Sequence, residues 1–405
     1  MRFCFYNPHT VDIIGANLFA SLFVWGKPAK RARRLSFLLH MLRGREYNAT
    51  IVIDGTVSSM PFRRLGPLFN NARFIRLFSF FEIYAWCCIN GLNPFKQTVI
   101  FSLDGLNPKT DILFGFAFLG RTFLDEDLME RSFFKQFAGK KILHATHFYE
   151  NTEHIADSIR KTGTRVMVAE VDVRKSAYFR KYFAYIDSIC ILPFALRGRY
   201  RATTEFLSRK NKCVALGTLA FFPDGNAPTE NHFLFFKTNT LHPMRKEIFD
   251  HAKELTPFID SLIVTHKKKP QNRKRSIWEI MWANINPATK EYHSFDIVDT
   301  YNRYRMFISP EETIGQPSIN AIEGMACGCA YIGLDDPMYE DLGFQKGVHY
   351  ISYDGTIADL ARVILHYQSR PNELRQIAAA GKELVKNRFL LNMVLAEFVK
   401  NLEIL

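Results

Sequence analysis

The residues best placed to do chemistry lie within 28 consecutive positions, 308–335, which read ISPEETIGQPSINAIEGMACGCAYIGLD. Gly315-Gln316-Pro317-Ser318 turns the chain, and Pro317 suits a first helical position, where its missing N–H costs nothing. Ile319, Ile322 and Met325-Ala326 then recur at helical spacing. Backbone N–H groups at Ser318, Ile319 and Asn320 would have no intrahelical acceptor and can hold a phosphate. Glu323 falls about one and a half turns into the helix. A carboxylate there can reach a ribose hydroxyl pair while a diphosphate occupies the helix end. A solvated helix residue accounts for Glu323 equally well, because strand-loop-helix units serve many purposes.

The elements that must position these residues are legible on either side. Met306-Phe307-Ile308 is short, apolar and bounded by Ser309-Pro310, as a buried parallel strand should be. Gly328 ends the helix and Ala330 to Leu334 forms the next strand. This is half of a doubly wound nucleotide-binding sheet. The same alternation runs along the chain: strands at Arg2–Tyr6, Ile51–Ile53, Thr98–Ser102, Lys141–His144, Arg165–Val171, Ser188–Leu192 and Lys212–Gly217 end in polar loops. Helices are expected at Glu150–Lys161, from Leu241 to Leu255, at Asp296–Tyr301, from Ile357, and over the tail from Glu373 to Leu405. At 405 residues the chain exceeds one compact core, so two domains are the expectation.

The run Glu323-Gly324-Met325-Ala326-Cys327-Gly328-Cys329-Ala330-Tyr331-Ile332 is preceded by Pro317-Ser318. Tyr339-Glu340-Asp341, Gly347-Val348-His349-Tyr350 and Asp354-Gly355 follow it. Together they resemble the donor-binding signature of GT-B glycosyltransferases, specifically glycosyltransferase family 4. The likeness is close over roughly residues 295–395 and holds only in outline elsewhere. It implies an α/β, GT-B fold: two Rossmann-like, doubly wound domains facing a cleft. Residues 1–208 would be the acceptor-side domain and 209–388 the nucleotide-sugar donor domain, with a helix at 389–405 crossing back to the first. The implied reaction moves a sugar from a nucleoside diphosphate sugar to a hydroxyl of a glycan or lipid-linked acceptor, with retention of configuration and with no metal or other cofactor.

The resemblance also assigns roles to positions. Gly315, Gln316, Pro317, Ser318, Ile319 and Asn320 would cradle the diphosphate, and Glu323 would hold the ribose. Gly217, beside Thr218 at a strand end, would permit close approach to the diphosphate. Arg245 and Lys246 would neutralise the charge that grows on the leaving group; a basic pair capping a surface helix is the other account. His144 and His147, at the end of a strand in the first domain, could hydrogen-bond the transferring sugar or the departing phosphate. Either could equally be a structural histidine. His9 and Gly15 follow the first strand, where an ordinary turn explains them as well. Arg197, Arg199 and Arg201 could meet phosphate or form a solvated linker face. One departure stands out. The family pattern has two glutamates separated by seven residues, and counting back from Glu323 the first falls on Gly315. Glu311 or Glu312 would have to swing in, or amides at Gly315-Gln316 would replace it.

Composition bounds the rest. A hydrophobic fraction of 47% with 23% charged residues indicates a globular chain, not a disordered one. The net charge of +13 attracts anions such as phosphorylated substrates, acidic headgroups or nucleic acid. Residues 27–46 and 63–92 interleave Lys and Arg with Leu, Phe, Tyr and Trp, as an interfacial helix on an anionic bilayer requires; core faces with solvated charges explain them too. The run 266–275 reads as a solvated basic loop. Seven cysteines without metal-like spacing indicate reduced, buried thiols in a cytosol. The amino terminus lacks a signal-peptide layout, and no stretch is long and apolar enough to span a membrane. The expected setting is the cytoplasm, with peripheral attachment to the plasma membrane and a part in bacterial envelope polysaccharide synthesis. Two rivals remain: a GT-B sugar-nucleotide epimerase, and a basic protein that binds anionic surfaces or nucleic acid. No nucleic-acid-binding signature is present, and nucleic acid is not the expected partner.

Overall fold

Apolar runs such as Phe3–Tyr6 and Val214-Ala215-Leu216 suit strands covered on both faces, which is what parallel pairing requires. The protein, seen in a computed structural model, is described over residues 1–6, 35–44, 47–54, 72–93, 95, 99–116, 129–130, 132–145, 148, 151–219, 231–265 and 295–404. The described residues divide into two compact units. The first takes those up to 169 together with 181–190; the second takes 170–180 and the remainder from 191.

In the first unit, β1 (Arg2–Tyr6), β2 (Ala49–Val52), β3 (Val99–Ile100), β4 (Asp111–Gly115), β5 (Lys140–His144), β6 (Val166–Ala169) and β7 (Ser188–Ile191) form one sheet in the order β3-β2-β1-β4-β5-β6-β7. The pairs from β3 through β6 are parallel. The strand order reverses between β1 and β4, so these two carboxyl ends bound the crevice of a doubly wound sheet. The segments that leave them, 7–34 and 117–128, lie outside the described residues, and His9 and Gly15 lie there too. β4 is an addition to the strands read from sequence. It begins at Asp111, whose buried carboxylate pairs with Arg2 at the start of β1. Asp54, just past β2, accepts from the Tyr6 hydroxyl at 2.6 Å and from the Phe133 amide at 3.0 Å, so this strand-end acid braces the sheet.

In the second unit, β8 (Lys210–Leu219), β9 (Ile259–Thr265), β10 (Tyr304–Ile308), β11 (Ala330–Leu334) and β12 (Ile351–Tyr353) form an all-parallel sheet in the order β12-β11-β10-β8-β9. Cys213, Ala215, Met306, Ile308, Ala330 and Ile332 make the sheet's share of a core that Met244, Ile248, Leu360, Ile364 and Leu374 complete from the helices. Here the order reverses between β8 and β10. The helix expected from Leu241 to Leu255 divides at His251 into Pro243–Asp250 and Ala252–Leu255. The tail divides too, into Pro371–Arg388 and Leu391–Ile404. At that break Phe389 is fully buried and its carbonyl accepts from Leu196 N at 2.7 Å. A tertiary partner thus replaces a helical one.

Of the seven cysteines six are buried, as expected, while Cys88 is exposed. No helix among the described residues is long and apolar enough to cross a membrane.

Candidate functional site

A doubly wound sheet binds ligands outside the carboxyl ends of the strands that flank its reversal. In the second unit those ends are Gly217-Thr218-Leu219 on β8 and Ser309-Pro310 after β10. Arg245 joins them. Its helix, Pro243–Asp250, packs against β8, and the residue is 8% exposed. Nε donates to the Pro310 carbonyl at 3.0 Å and Nη1 to the Thr218 carbonyl at 3.1 Å. Gly217 makes room for it: φ is +145°, and a Cβ there would lie 2.7 Å from Arg245 Nε. A buried cation therefore sits where a diphosphate would need one. Lys246 diverges from it, reaching along its own helix to Asp250 at 2.5 Å.

The turn that follows β10 is organised around Ser309. Its hydroxyl, fully buried, receives Ser318 Oγ at 3.1 Å and Asn320 Nδ2 at 2.9 Å. Ser318 is the N-cap of the Ile319–Ala326 helix, yet its side chain does not cap. The two polar side chains turn inward, and the first helical amides are left without a side-chain acceptor, the arrangement that favours an anion. Gln316 donates from Nε2 to Glu170 at 3.0 Å. Gly315 takes φ +86°.

Glu311 and Glu312 separate. Glu311 is buried, and its Oε1 accepts from the hydroxyls of Tyr331, at 2.8 Å, and Tyr339. Burial pushes its carboxyl above the usual range, although those two hydroxyls oppose the shift. It is fixed in the tyrosine cluster. Glu312 lies 3.7 Å from His242, the N-cap of the Arg245 helix. Burial lowers the His242 pKa despite that carboxylate, which favours the neutral imidazole.

Glu323 is 1% exposed, not solvated. Its carboxylate lies close enough to Tyr200 to act on its charge, and the Tyr200 hydroxyl accepts from Arg199 Nη2 at 2.6 Å. Burial, then the Glu323 charge, pushes the Tyr200 hydroxyl up to about 12. The far end of the same helix is held by Arg209. The guanidinium of this residue, which is 5% exposed, donates to the carbonyls of Cys327 and Gly328 at 3.0 Å each, of Tyr301 at 3.3 Å and of Thr204 at 2.7 Å.

The structure thus brings Gly217, Thr218, Arg245, Pro310, Ser318 and Asn320 to one strand-end region. His144 belongs to the other unit, buried and 6.5 Å from the Phe114 ring, centroid to centroid. His147 lies outside the described residues. Sequence reasoning missed Ser309, Tyr200 and Arg209; only the Ser309-Pro310 pair directly after a strand gave a signal. Among the described residues no group of His, Cys, Asp and Glu is gathered to hold a metal.

Two all-parallel or largely parallel doubly wound sheets in one chain define the GT-B class, and known structures agree. Sucrose-phosphate synthase from Thermosynechococcus elongatus is similar at a TM-score of 0.51 and 12% identity, over 99% of this chain and 98% of that one. Anabaena HepE, in its UDP-glucose complex, is similar at 0.50 and 11%, over the whole of both chains. Residues 245–400 match the glycosyl transferase-like family, a span that includes Arg245, the Ser309–Asn320 turn and Glu323. The chain has the GT-B fold. No curated protein matches it.

Proposed function

We propose that this chain is a glycosyltransferase that takes its sugar from a nucleoside diphosphate sugar, bound at the carboxyl ends of β8 and β10, and transfers it to a hydroxyl of a glycan or lipid-linked acceptor. The observation that carries this reading is Arg245, buried between the Thr218 and Pro310 carbonyls beside the uncapped start of the Ile319–Ala326 helix. Breaking the sugar–phosphate bond leaves negative charge on the diphosphate. A preorganised guanidinium and helix-end amides stabilise that charge without reorganising. Because they supply it, we propose that the reaction needs no divalent metal; that it retains anomeric configuration rests on the resemblance to family 4 alone. HepE, described in complex with UDP-glucose, supports a nucleotide sugar as donor. Glu323 would reach the ribose by turning from Tyr200 to the sugar hydroxyls.

The reading extends to location. The Ala72–Ile89 helix exposes Leu77 and Phe81, at 55% and 54%. An apolar helix face of this kind suits peripheral attachment to a cytoplasmic membrane surface and an envelope-polysaccharide acceptor.

A thermal-shift panel of UDP, GDP, ADP and their sugar conjugates tests the donor. A ligand at 100 times its dissociation constant stabilises by about 2.7 kcal/mol. A clear rise in the unfolding midpoint with at least one sugar nucleotide, unaffected by EDTA, is expected. No shift with any of them would overturn the reading.

A further inference from the structure

Gly315 stands where the two-glutamate pattern would put its first acid, and neither nearby glutamate takes the place: Glu311 is fixed by Tyr331 and Tyr339, and Glu312 is beside His242. A carboxylate is nevertheless present there. It comes from the loop after β11, Asp335-Asp336-Pro337. The Cβ that any other residue would add at 315 would lie 3.0 Å from Asp336 Oδ2 and 3.5 Å from its Cγ. An outgoing side chain from 315 would therefore meet the Asp336 carboxylate. Only a glycine, here at φ +86°, leaves that space to it.

The two acids of this loop are used differently. Asp335 is paired with Lys346, whose Nζ lies 3.0 and 2.8 Å from its two oxygens. Asp336 spends Oδ1 on the Met338 amide at 2.8 Å, which starts the short Met338–Asp341 helix. Its Oδ2 has no hydrogen-bond partner among the described residues, and the side chain is half-buried. Burial pushes the Asp336 carboxyl above the usual range. A cavity of ≈ 360 Å³, lined by Asp336, Glu340, Phe344 and Tyr350 among others, opens beside it.

An acid next to a turn built for a diphosphate repels that diphosphate, so on bare-nucleotide binding it is a liability. It becomes useful when a neutral, hydroxyl-rich group is attached, because a partly desolvated carboxylate oxygen is a strong acceptor for sugar hydroxyls. We infer that Asp336 is a specificity-determining residue of the donor site: its Oδ2 accepts a hydroxyl of the donor's pyranosyl group, supplying from a different loop the carboxylate missing at 315. This rests on the donor site proposed above.

The test is Asp336→Asn, which keeps an Oδ1 acceptor for Met338 while removing the charge. Titration calorimetry with UDP, GDP, UDP-glucose and GDP-mannose is run on both proteins. The expected result is bare-diphosphate affinity equal to or tighter than wild type, with sugar-nucleotide affinity and transfer kcat/KM at least tenfold lower. Unchanged unfolding is expected alongside. Equal loss for the diphosphate and its sugar conjugate, or no loss for either, would overturn the inference while leaving the donor site standing. If the wild type binds neither diphosphate nor sugar nucleotide, both readings fall together.

Discussion

Arg245 and Lys246 are adjacent in sequence but cannot do the same job, because successive helical residues point about 100° apart. The guanidinium turns into the strand ends and the ammonium turns along the helix to Asp250. A hydrogen bond to a charged group contributes about 1.5–3 kcal/mol, so Arg245→Ala should weaken nucleoside diphosphate binding about 10- to 150-fold. Lys246→Ala removes an exposed pair that contributes well under about 1 kcal/mol and should leave that affinity within about twofold. Equal effects in a calorimetric titration would show that the two act as a unit. Glu323 is the second residue-scale case. If it holds the ribose, Glu323→Gln should lower turnover while Tyr200→Phe, which only removes a neighbouring hydroxyl, should not. Similar losses in both, accompanied by lowered stability, would make the contact structural.

The Ile319–Ala326 helix is held at both ends, and the two ends differ in kind. Its amino end has no side-chain cap, while its carboxyl end is closed by Arg209 on the Cys327 and Gly328 carbonyls. A cation there complements the helix dipole, and its burial is offset by several carbonyl acceptors at once. Arg209→Met should therefore destabilise the second unit by about 3 kcal/mol or more. Arg209→Lys should not restore it, because an ammonium cannot span acceptors set for a planar fork. Urea unfolding measures both. In the first unit, burial alone would raise the Asp111 carboxyl. Arg2, the Asn107 amide and Thr110 more than offset this, and hold it below its ordinary value of 3.8. A depressed carboxylate stabilises above its unfolded pKa and loses that contribution as pH falls through the folded one. Arg2→Gln should thus move the acid unfolding midpoint upward; an unchanged midpoint would mean that the pair adds nothing.

At the scale of the molecule, what was legible in the sequence was what local pattern encodes. Short apolar runs ending in polar residues gave nine of the twelve strands among the described residues, missing β4, β9 and β12, and the glycine-proline turn before Ser318 marked the helix start. Side-chain direction was not legible. Nothing in the spacing separates a solvated Glu323 from one buried against Tyr200, since that partner lies over a hundred positions away. Nor does it reveal that Glu311 is held by tyrosines on β11 and beyond. The same limit applies to the Ala72–Ile89 helix, whose apolar residues recur all round. The structure buries Ile83, Trp86 and Cys87 but exposes Leu77 and Phe81. If that face meets a bilayer, Leu77→Asp with Phe81→Asp should abolish sedimentation with phosphatidylglycerol vesicles and spare nucleotide binding; retained sedimentation would remove the face from any membrane role.

The claim on which the rest depends is that the donor diphosphate sits at the strand ends of the second unit. Hydrogen–deuterium exchange of the whole chain, with and without a nucleoside diphosphate that raises its unfolding midpoint, reads this directly. Slowed exchange should be confined to amides around 215–219 and 309–323, strongest at Ser318, Ile319 and Asn320. Protection in the first unit's loops, with these amides unchanged, would contradict the account.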